Sequence, residues 1–598
     1  MRRGMKRGWI ALAAIWLWLV LAAGCAAGES DGGVLAYVVE TQLVTVPDNG
    51  RWITPGEDAR FHLIPAPGYA VKEVRCSCAY ELLPEGDALC LVLHNVRYTT
   101  RAEVILEETG RDDALRYFRT LAYDPNGGTG EAFSVTVGIL THPRPNTANA
   151  HTFTRPGYTL TGWNTLPDGS GQAVGLGSRL TVPPEGVRLY AQWAPWAPES
   201  DFSFRLEGGG AVITGFQGHQ DPLVIPGALG GEPVRGIAAG AFAGCDARRV
   251  ALPLELEWIE DGAFQDAELE ELTLFDSLKR FSDAAFPNCA SLRTLRINAA
   301  EDPFGYRFRR ESLFADKIDL LITAAGQKKL VFYGGCNVWY NLIGQEAAHR
   351  FPEYRVVNLG LNGTVNSLVQ MRIITAFLEE GDLFFHAPEI SSTRQLLLET
   401  GMRAGDDMLW AGIEYNYDLF ALADLRELPG ALDSLCGYWN QKKPGGAYAE
   451  TYRDASGNVY LDETGSLPLI RTHGMTRLDD NVYLNPALLE GGLSALGERY
   501  RAIADRGARV YVSWACVDLD AVPEAQQGNV GLMDRLFHAA VEGMDGPALI
   551  SSIGDYLYHD SDFYDTHYHL LTPQAYQNTE RWLHDLEARM RLDGLIPE

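Results

Sequence analysis

The chain has 598 residues, 46% of them hydrophobic and 21% charged, with a formal net charge of −28. That length exceeds a single hydrophobic core and implies several domains. The acidity leaves no basic field to displace counterions from a phosphate backbone, which excludes nucleic acid as a partner. Nine cysteines are too few for a dense disulfide framework, and no Cys-x-x-Cys pair suggests zinc.

The first element reads as an export signal. Arg2, Arg3, Lys6 and Arg7 precede an apolar stretch from Trp9 to Ala23. The order is that of a secretory signal peptide, and the stretch falls short of the roughly 20 apolar residues a bilayer span needs. Leu21-Ala22-Ala23-Gly24-Cys25 resembles the bacterial lipobox. The resemblance implies removal of residues 1–24 and acylation of Cys25, leaving 25–33 as a small, polar, lipidated tether. The implied location is the extracellular face of a bacterial membrane, held by burial of acyl chains at about 0.8 kcal/mol per CH₂. A plain N-terminal anchor with an incidental Cys25 is the alternative.

Residues 34–115 carry short alternating runs such as Leu43-Val44-Thr45-Val46 and Leu91-Val92-Leu93, which predict a small all-β domain. Cys76 or Cys78 is placed to bridge to Cys90, since all three lie in one small segment. Pro67-Gly68-Tyr69-Ala70-Val71 resembles the β-repeat modules of bacterial surface proteins.

Residues 116–194 hold five blocks in order. They are Tyr123-Asp124-Pro125-Asn126-Gly127-Gly128, Phe153-Thr154-Arg155-Pro156-Gly157-Tyr158, Gly162-Trp163-Asn164, Asp168-Gly169-Ser170-Gly171 and Leu189-Tyr190-Ala191-Gln192-Trp193. The set resembles the Listeria–Bacteroides repeat, also called the internalin B-repeat, which implies a small β-grasp-like fold. A module of this size needs aromatic burial, so Trp163 and Trp193 are expected in its core.

After the proline-stiffened Ala194-Pro195-Trp196-Ala197-Pro198, a repeat runs over 202–300. Phe242, Phe264 and Phe286 close three phrases in register, 22 residues apart. That period belongs to leucine-rich repeats. Ile213-Thr214-Gly215-Phe216, Val224-Ile225-Pro226 and Ala241-Phe242-Ala243-Gly244-Cys245 resemble the BspA-type leucine-rich repeats of bacterial surface proteins. A short solenoid is expected, with Cys245 and Cys289 as small buried groups. It would serve either as a rigid spacer or as a surface for a protein partner.

From 301 to 598 apolar runs alternate with helical periods: Lys329–Tyr333, Arg355–Leu359, Asp382–Phe385, Arg509–Trp514 and Ala548–Ser551. The pattern predicts a three-layer α/β domain on a parallel sheet, with ligands at the carboxyl ends of its strands. The first strand ends in Gly334-Gly335-Cys336-Asn337, just before a helix, where a helix N-terminus and a nearby imidazole would favour thiolate. The second ends in Asn358-Leu359-Gly360-Leu361-Asn362-Gly363-Thr364, a loop able to aim N–H groups at an oxyanion. Phe563-Tyr564-Asp565-Thr566-His567-Tyr568-His569-Leu570 precedes the last helix. Together these blocks resemble SGNH (GDSL-like) hydrolases. The resemblance implies Cys336 in the place of the family's serine, His569 as base, Asp565 as its orienting acid, and Gly363 with Asn337 at the oxyanion.

Four departures stand out. The nucleophile is a cysteine, and Asp565 lies four residues before His569 where many members have three. Ala387-Pro388-Glu389-Ile390-Ser391 replaces the block that carries the family's asparagine, and Gln574 replaces a glycine. His567 competes for the base role. The aromatic-rich segment from about 403 to 482 reads as a cap over the strand ends, with Trp410, Tyr415, Tyr438 and Trp439 as stacking candidates. The sequence thus points to an acyl-ester hydrolase or acyltransferase acting on envelope polymers or glycans, with no metal and no organic cofactor. The alternative is a non-catalytic adhesion protein with a degenerate hydrolase domain.

Overall fold

The computed structural model describes residues 34–39, 44–46, 51–65, 69–76, 78–85, 88–97, 100–108, 118–138, 147–183, 185–298, 313–361, 367–389, 407–413, 416–441, 464–466, 471, 474, 482, 484–489 and 492–597. The expectations on the signal peptide, Cys25, Gly363 and Tyr415 lie outside these residues. The chain forms two compact units.

The first unit takes in the N-terminal β residues up to Thr109. Two four-stranded sheets account for its described strands. One is built on Val34–Val39, which runs parallel to Thr100–Glu108, and the other on the antiparallel pair Glu57–Pro65 and Ala88–Val96. Alternate residues Ala59, Phe61 and Leu63 are buried and meet Leu91 and Leu93 in one apolar cluster, as the period of two requires. The bridge expected from Cys76 or Cys78 to Cys90 is absent, and all three are free thiols. The register is the reason. Tyr80 lies opposite Leu93 and Leu83 opposite Cys90, which puts Cys78 on the order of 15 Å along the strand from Cys90. A disulfide tolerates a Cα separation of only about 7 Å.

The second unit begins with a five-stranded sheet in which Val187–Pro195 lies between Phe118–Asp124 and Tyr158–Asn164. Trp163 is 1% exposed, and its ring meets Tyr123 and Phe153 edge-on. Both indole N–H groups have carbonyl partners: Trp163 donates to Ala148 O and Trp193 to Pro125 O. The proline-rich connection is strapped to both sides of itself, with Trp196 N donating to Gly157 O and Ala197 N to Val224 O.

The 22-residue period becomes a column of rings. Phe242 and Phe264 stack at 4.8 Å between centroids, and Phe264 and Phe286 at 5.1 Å. Beside them Leu223–Val224, Arg249–Ala251, Glu271–Phe275 and Thr294–Asn298 form a parallel ladder in chain order. Cys245 is buried, and the Cys289 thiol donates to Phe264 O at 3.0 Å. Burial raises the pKa of both thiols.

The apolar core does not stop at the last repeat. One continuous cluster runs from Phe202 through the phenylalanine column into Phe332, Phe385 and Trp582. The 407–441 stretch makes the join. Tyr417–Leu422 packs against Thr294–Asn298, Trp439 lies 5.7 Å from Phe281, and Asp283 accepts the backbone N–H of Leu432. Trp410 and Tyr438 are buried, with Trp410 against Phe420. Trp439 is therefore spent on packing against the repeats, and Trp410 and Tyr438 on the buried core, rather than set out over a cleft. Arg179, from the 116–194 module, reaches across to Asp316, Asp319 and Asn416.

Beyond this join lies a five-stranded, all-parallel sheet. Its strands are β1 (Lys329–Gly334), β2 (Arg355–Asn358), β3 (Leu383–Ala387), β4 (Arg509–Val512) and β5 (Pro547–Leu549), in the order β2-β1-β3-β4-β5. Every residue of β1 and β3 is buried, which suits strands covered on both faces. The helices that concern the site are α1 (Leu313–Thr323), α2 (Cys336–Asn341) and α3 (Thr572–Leu592). In this strand order the direction of winding reverses between β1 and β3, and their carboxyl ends flank the crevice there.

Candidate active site

Both edges of that crevice are supplied by residues singled out in the sequence. β1 runs into Gly334 and Gly335, and α2 starts at Cys336, which is partly exposed. β3 runs into Pro388 and Glu389, whose side chain is buried. The Glu389 carboxylate accepts the backbone N–H of Asn337 at 3.0 Å, and the Asn337 amide donates to Ala387 O at 3.0 Å. That commits Nδ2 of Asn337 to the end of β3. Its Oδ1 is buried without a hydrogen-bond partner among the described residues. A Cβ on Gly335 would lie 2.5 Å from Glu389 Oε1, so a larger residue there would have to displace the carboxylate.

The loop after β2 is held from three sides. Gly360 N donates to Asn358 Oδ1, Lys317 Nζ on α1 donates to Gly360 O at 2.6 Å, and Asn358 Nδ2 donates to Ser466 Oγ. Gly360 also lets α2 rest on the loop, because a Cβ would strike the backbone of Trp339. Lys317 is completely buried, and its ammonium lies 5.6 Å over the Trp339 ring. Thr464–Ser466 is thus the described part of the 403–482 segment that does stand at a strand end. Gly363 itself is outside the described residues.

Asn341, at the foot of α2, fastens the histidine loop. Its amide donates to Tyr568 O at 2.8 Å, its Oδ1 accepts from Leu570 N at 2.9 Å, and its backbone carbonyl accepts from Thr579 Oγ1 on α3. Thr579 Oγ1 in turn accepts Ile343 N. His569, caught between Tyr568 and Leu570, stacks on Tyr340 with 3.6 Å between centroids and 8° between planes. Its Nδ1 lies 2.6 Å from Asp565 Oδ1. Tyr340 is four residues after Cys336, and side chains four apart share a helix face, about one turn or 5.4 Å along the axis. His569, oriented by Asp565, therefore sits on the face of α2 that begins with Cys336.

His567 goes elsewhere. Its Nδ1 is 2.8 Å from Asp518 Oδ2, on the short strand Val517–Asp518 that pairs with Leu557–Tyr558. Asp518, Asp560 and His567 bring donor atoms within 4.8 Å of one another, a mixed oxygen and nitrogen set able to hold a divalent cation with small adjustments. Cys516, two residues before Asp518, is wholly buried and takes a hydrogen bond from Asn341 Nδ2 at 3.2 Å. Its thiol pKa is pushed well above the usual value, by burial first and by Glu389 and Asp518 next.

Two pieces of the site were not visible beforehand. The sequence marks Glu389 only by the absence of an asparagine, and nothing in it marks Asn341. The proximity of each to its partners depends on pairing between distant segments. α2 is also only six residues long, which weakens the dipole expected at Cys336, and its first turn already holds a carboxylate.

Comparison with known proteins bears on the repeats. Residues 231–314 match the family model of the BspA-type leucine-rich repeat region, in six copies. Over 90 residues, 15% of this chain, the sequence is 37% identical to a protein of Evansella cellulosilytica named "Putative Gly-rich membrane protein". Over 73 residues, 12% of the chain, it is 41% identical to a second protein of that organism, named "Putative membrane protein". The chain spans about a tenth of the length of these curated relatives, 10% and 11%. Among the described residues, no helix is long and apolar enough to cross a membrane.

Proposed function

We propose that this chain is a bacterial cell-surface lipoprotein, anchored through Cys25, whose β and leucine-rich-repeat modules present an SGNH-like acyl-transfer domain to envelope polymers or glycans. The membrane assignments of the relatives and the BspA-type repeats support display at a surface. One observation carries the chemical part: the Asp565–His569 pair lies against Tyr340, on the face of α2 that starts at Cys336.

In this reading His569 takes the Cys336 proton at Nε2, since Nδ1 is engaged by Asp565. The sulfur attacks an acyl carbonyl and expels an alcohol, which receives that proton. Water or an acceptor hydroxyl then cleaves the thioester. The N–H of Cys336 and that of Gly363 hold the oxyanion, with Asn337 a further candidate once its amide leaves Ala387 O.

An activity-based acyl probe on the purified full chain tests the reading. Covalent labelling that maps to Cys336 and is lost in His569→Ala is the expected result. If neither the native chain nor Cys336→Ser labels with any acyl probe, the chain is a non-catalytic surface-interaction protein. The observation favouring that second reading is the continuous core joining the repeats to the C-terminal sheet.

A further inference from the structure

Glu389 takes no part in the steps above, yet its carboxylate touches the backbone on both sides of the proposed nucleophile. Oε1 is 3.0 Å from Asn337 N and 2.5 Å from where a Cβ on Gly335 would stand. Cys336 is the residue between them. Standard bond lengths then keep its sulfur within about 8 Å of that oxygen. Glu389 is 5% exposed, so solvent screens its charge poorly, and at such range it repels a like charge. After burial, Glu389 also raises the pKa of the Cys516 thiol.

We propose that Glu389 is a positioning residue that sets the reactivity of Cys336: its hydrogen bond to Asn337 N fixes the first turn of α2, and its negative charge holds the sulfur as a thiol. The proposal rests on the reading of Cys336 and His569 as one site. Its chemical consequence is that the proton leaves Sγ only as His569 becomes imidazolium, so thiolate and imidazolium arise together beside the carboxylate. A bare, standing thiolate is disfavoured. The resting site is then protected from oxidation and alkylation, and the nucleophile is produced by proton transfer within the site.

The test uses the full chain and follows alkylation of Cys336 by mass spectrometry. Glu389→Gln keeps an oxygen to accept the Asn337 N–H and removes the charge. Iodoacetamide should alkylate Cys336 about tenfold faster in this variant at pH 7, with the rate–pH profile moved to lower pH and Cys436 unaffected. A second measurement needs no variant. The ratio of iodoacetate to iodoacetamide rates at Cys336 should be several-fold below that of 2-mercaptoethanol, because the carboxylate repels the anionic reagent. An unchanged profile in a folded Glu389→Gln chain, or an iodoacetate ratio equal to that of the free thiol, overturns the proposal. Neither readout requires acyl turnover. A chain inert to acyl probes can still show both effects, and a chain that labels at Cys336 can show neither.

Discussion

The imidazole of His569 lies flat on the phenol ring of Tyr340, 3.6 Å between centroids. Tyr340 is 4% exposed and His569 is 3% exposed, so each ring depends on the other for its seat. Replacing Tyr340 with alanine should let the imidazole swing away from α2. Cys336 alkylation by iodoacetamide at neutral pH should fall by about tenfold, while Tyr340→Phe, which keeps the stacking face, should stay within about twofold of the native rate. Equal rates in all three proteins would mean that the ring does not hold His569 for Cys336.

Asn341 makes a separate, thermodynamic prediction. Asn341→Ala strands the buried N–H of Leu570 and leaves the Tyr568 carbonyl with the weaker Cys516 thiol as donor. Leaving such groups without partners costs about 1–3 kcal/mol each. A loss of about 1–3 kcal/mol is expected from denaturant unfolding of the full chain. Asn341→Asp keeps the acceptor for Leu570 N and should lose less at a pH where the new carboxylate is neutral.

Arg179 ties the 116–194 module to α1 beside the C-terminal sheet. Asp316 and Asp319 offset the burial that works against the guanidinium and keep it charged. Arg179→Ala leaves Asp319, 8% exposed at the side chain, without that partner. The expected cost is about 3–5 kcal/mol, read as a shift of the first unfolding transition. Replacing Arg179, Asp316 and Asp319 together with apolar residues of similar volume should restore most of it. A triple variant no better than the single one would show that packing, and not charge, holds the join.

Anchoring is tested at Cys25. Cys25→Ser should shift the protein from the membrane fraction to the soluble fraction or leave it unprocessed. Unchanged membrane retention together with an unmodified mature N-terminus would remove the lipoprotein reading.

Local signals in the sequence carried some of this a long way. A period of 22 with phenylalanine at one phase implies a column of rings, and the rings stack at 4.8 and 5.1 Å. Gly334-Gly335-Cys336 after an apolar run implies a tight strand-to-helix turn, and that turn is present. What escaped was non-local. Glu389 meets Asn337 across 52 positions and Asn341 meets Leu570 across 229. No periodicity encodes such meetings. Trp410, Tyr438 and Trp439 drew notice as aromatic residues in a long insertion, but composition does not say which surface they will cover. The expected bridge from Cys76 or Cys78 to Cys90 is absent for a related reason: closeness in sequence ignores the distance that an extended strand puts between Cys78 and Cys90.

The docking of Tyr417–Leu422 on Thr294–Asn298 has a consequence for how such a protein can change length. The final coil of the solenoid is committed to the sheet it carries, and the first is strapped through Trp196 and Ala197 to the module before it. New coils can therefore be added only in the interior. Each added unit would continue the phenylalanine column and move the carried sheet outward by one inter-strand spacing, about 4.8 Å, without altering either junction. The repeats thus act as a ruler whose two ends are fixed fittings, and its reach can be adjusted in whole steps.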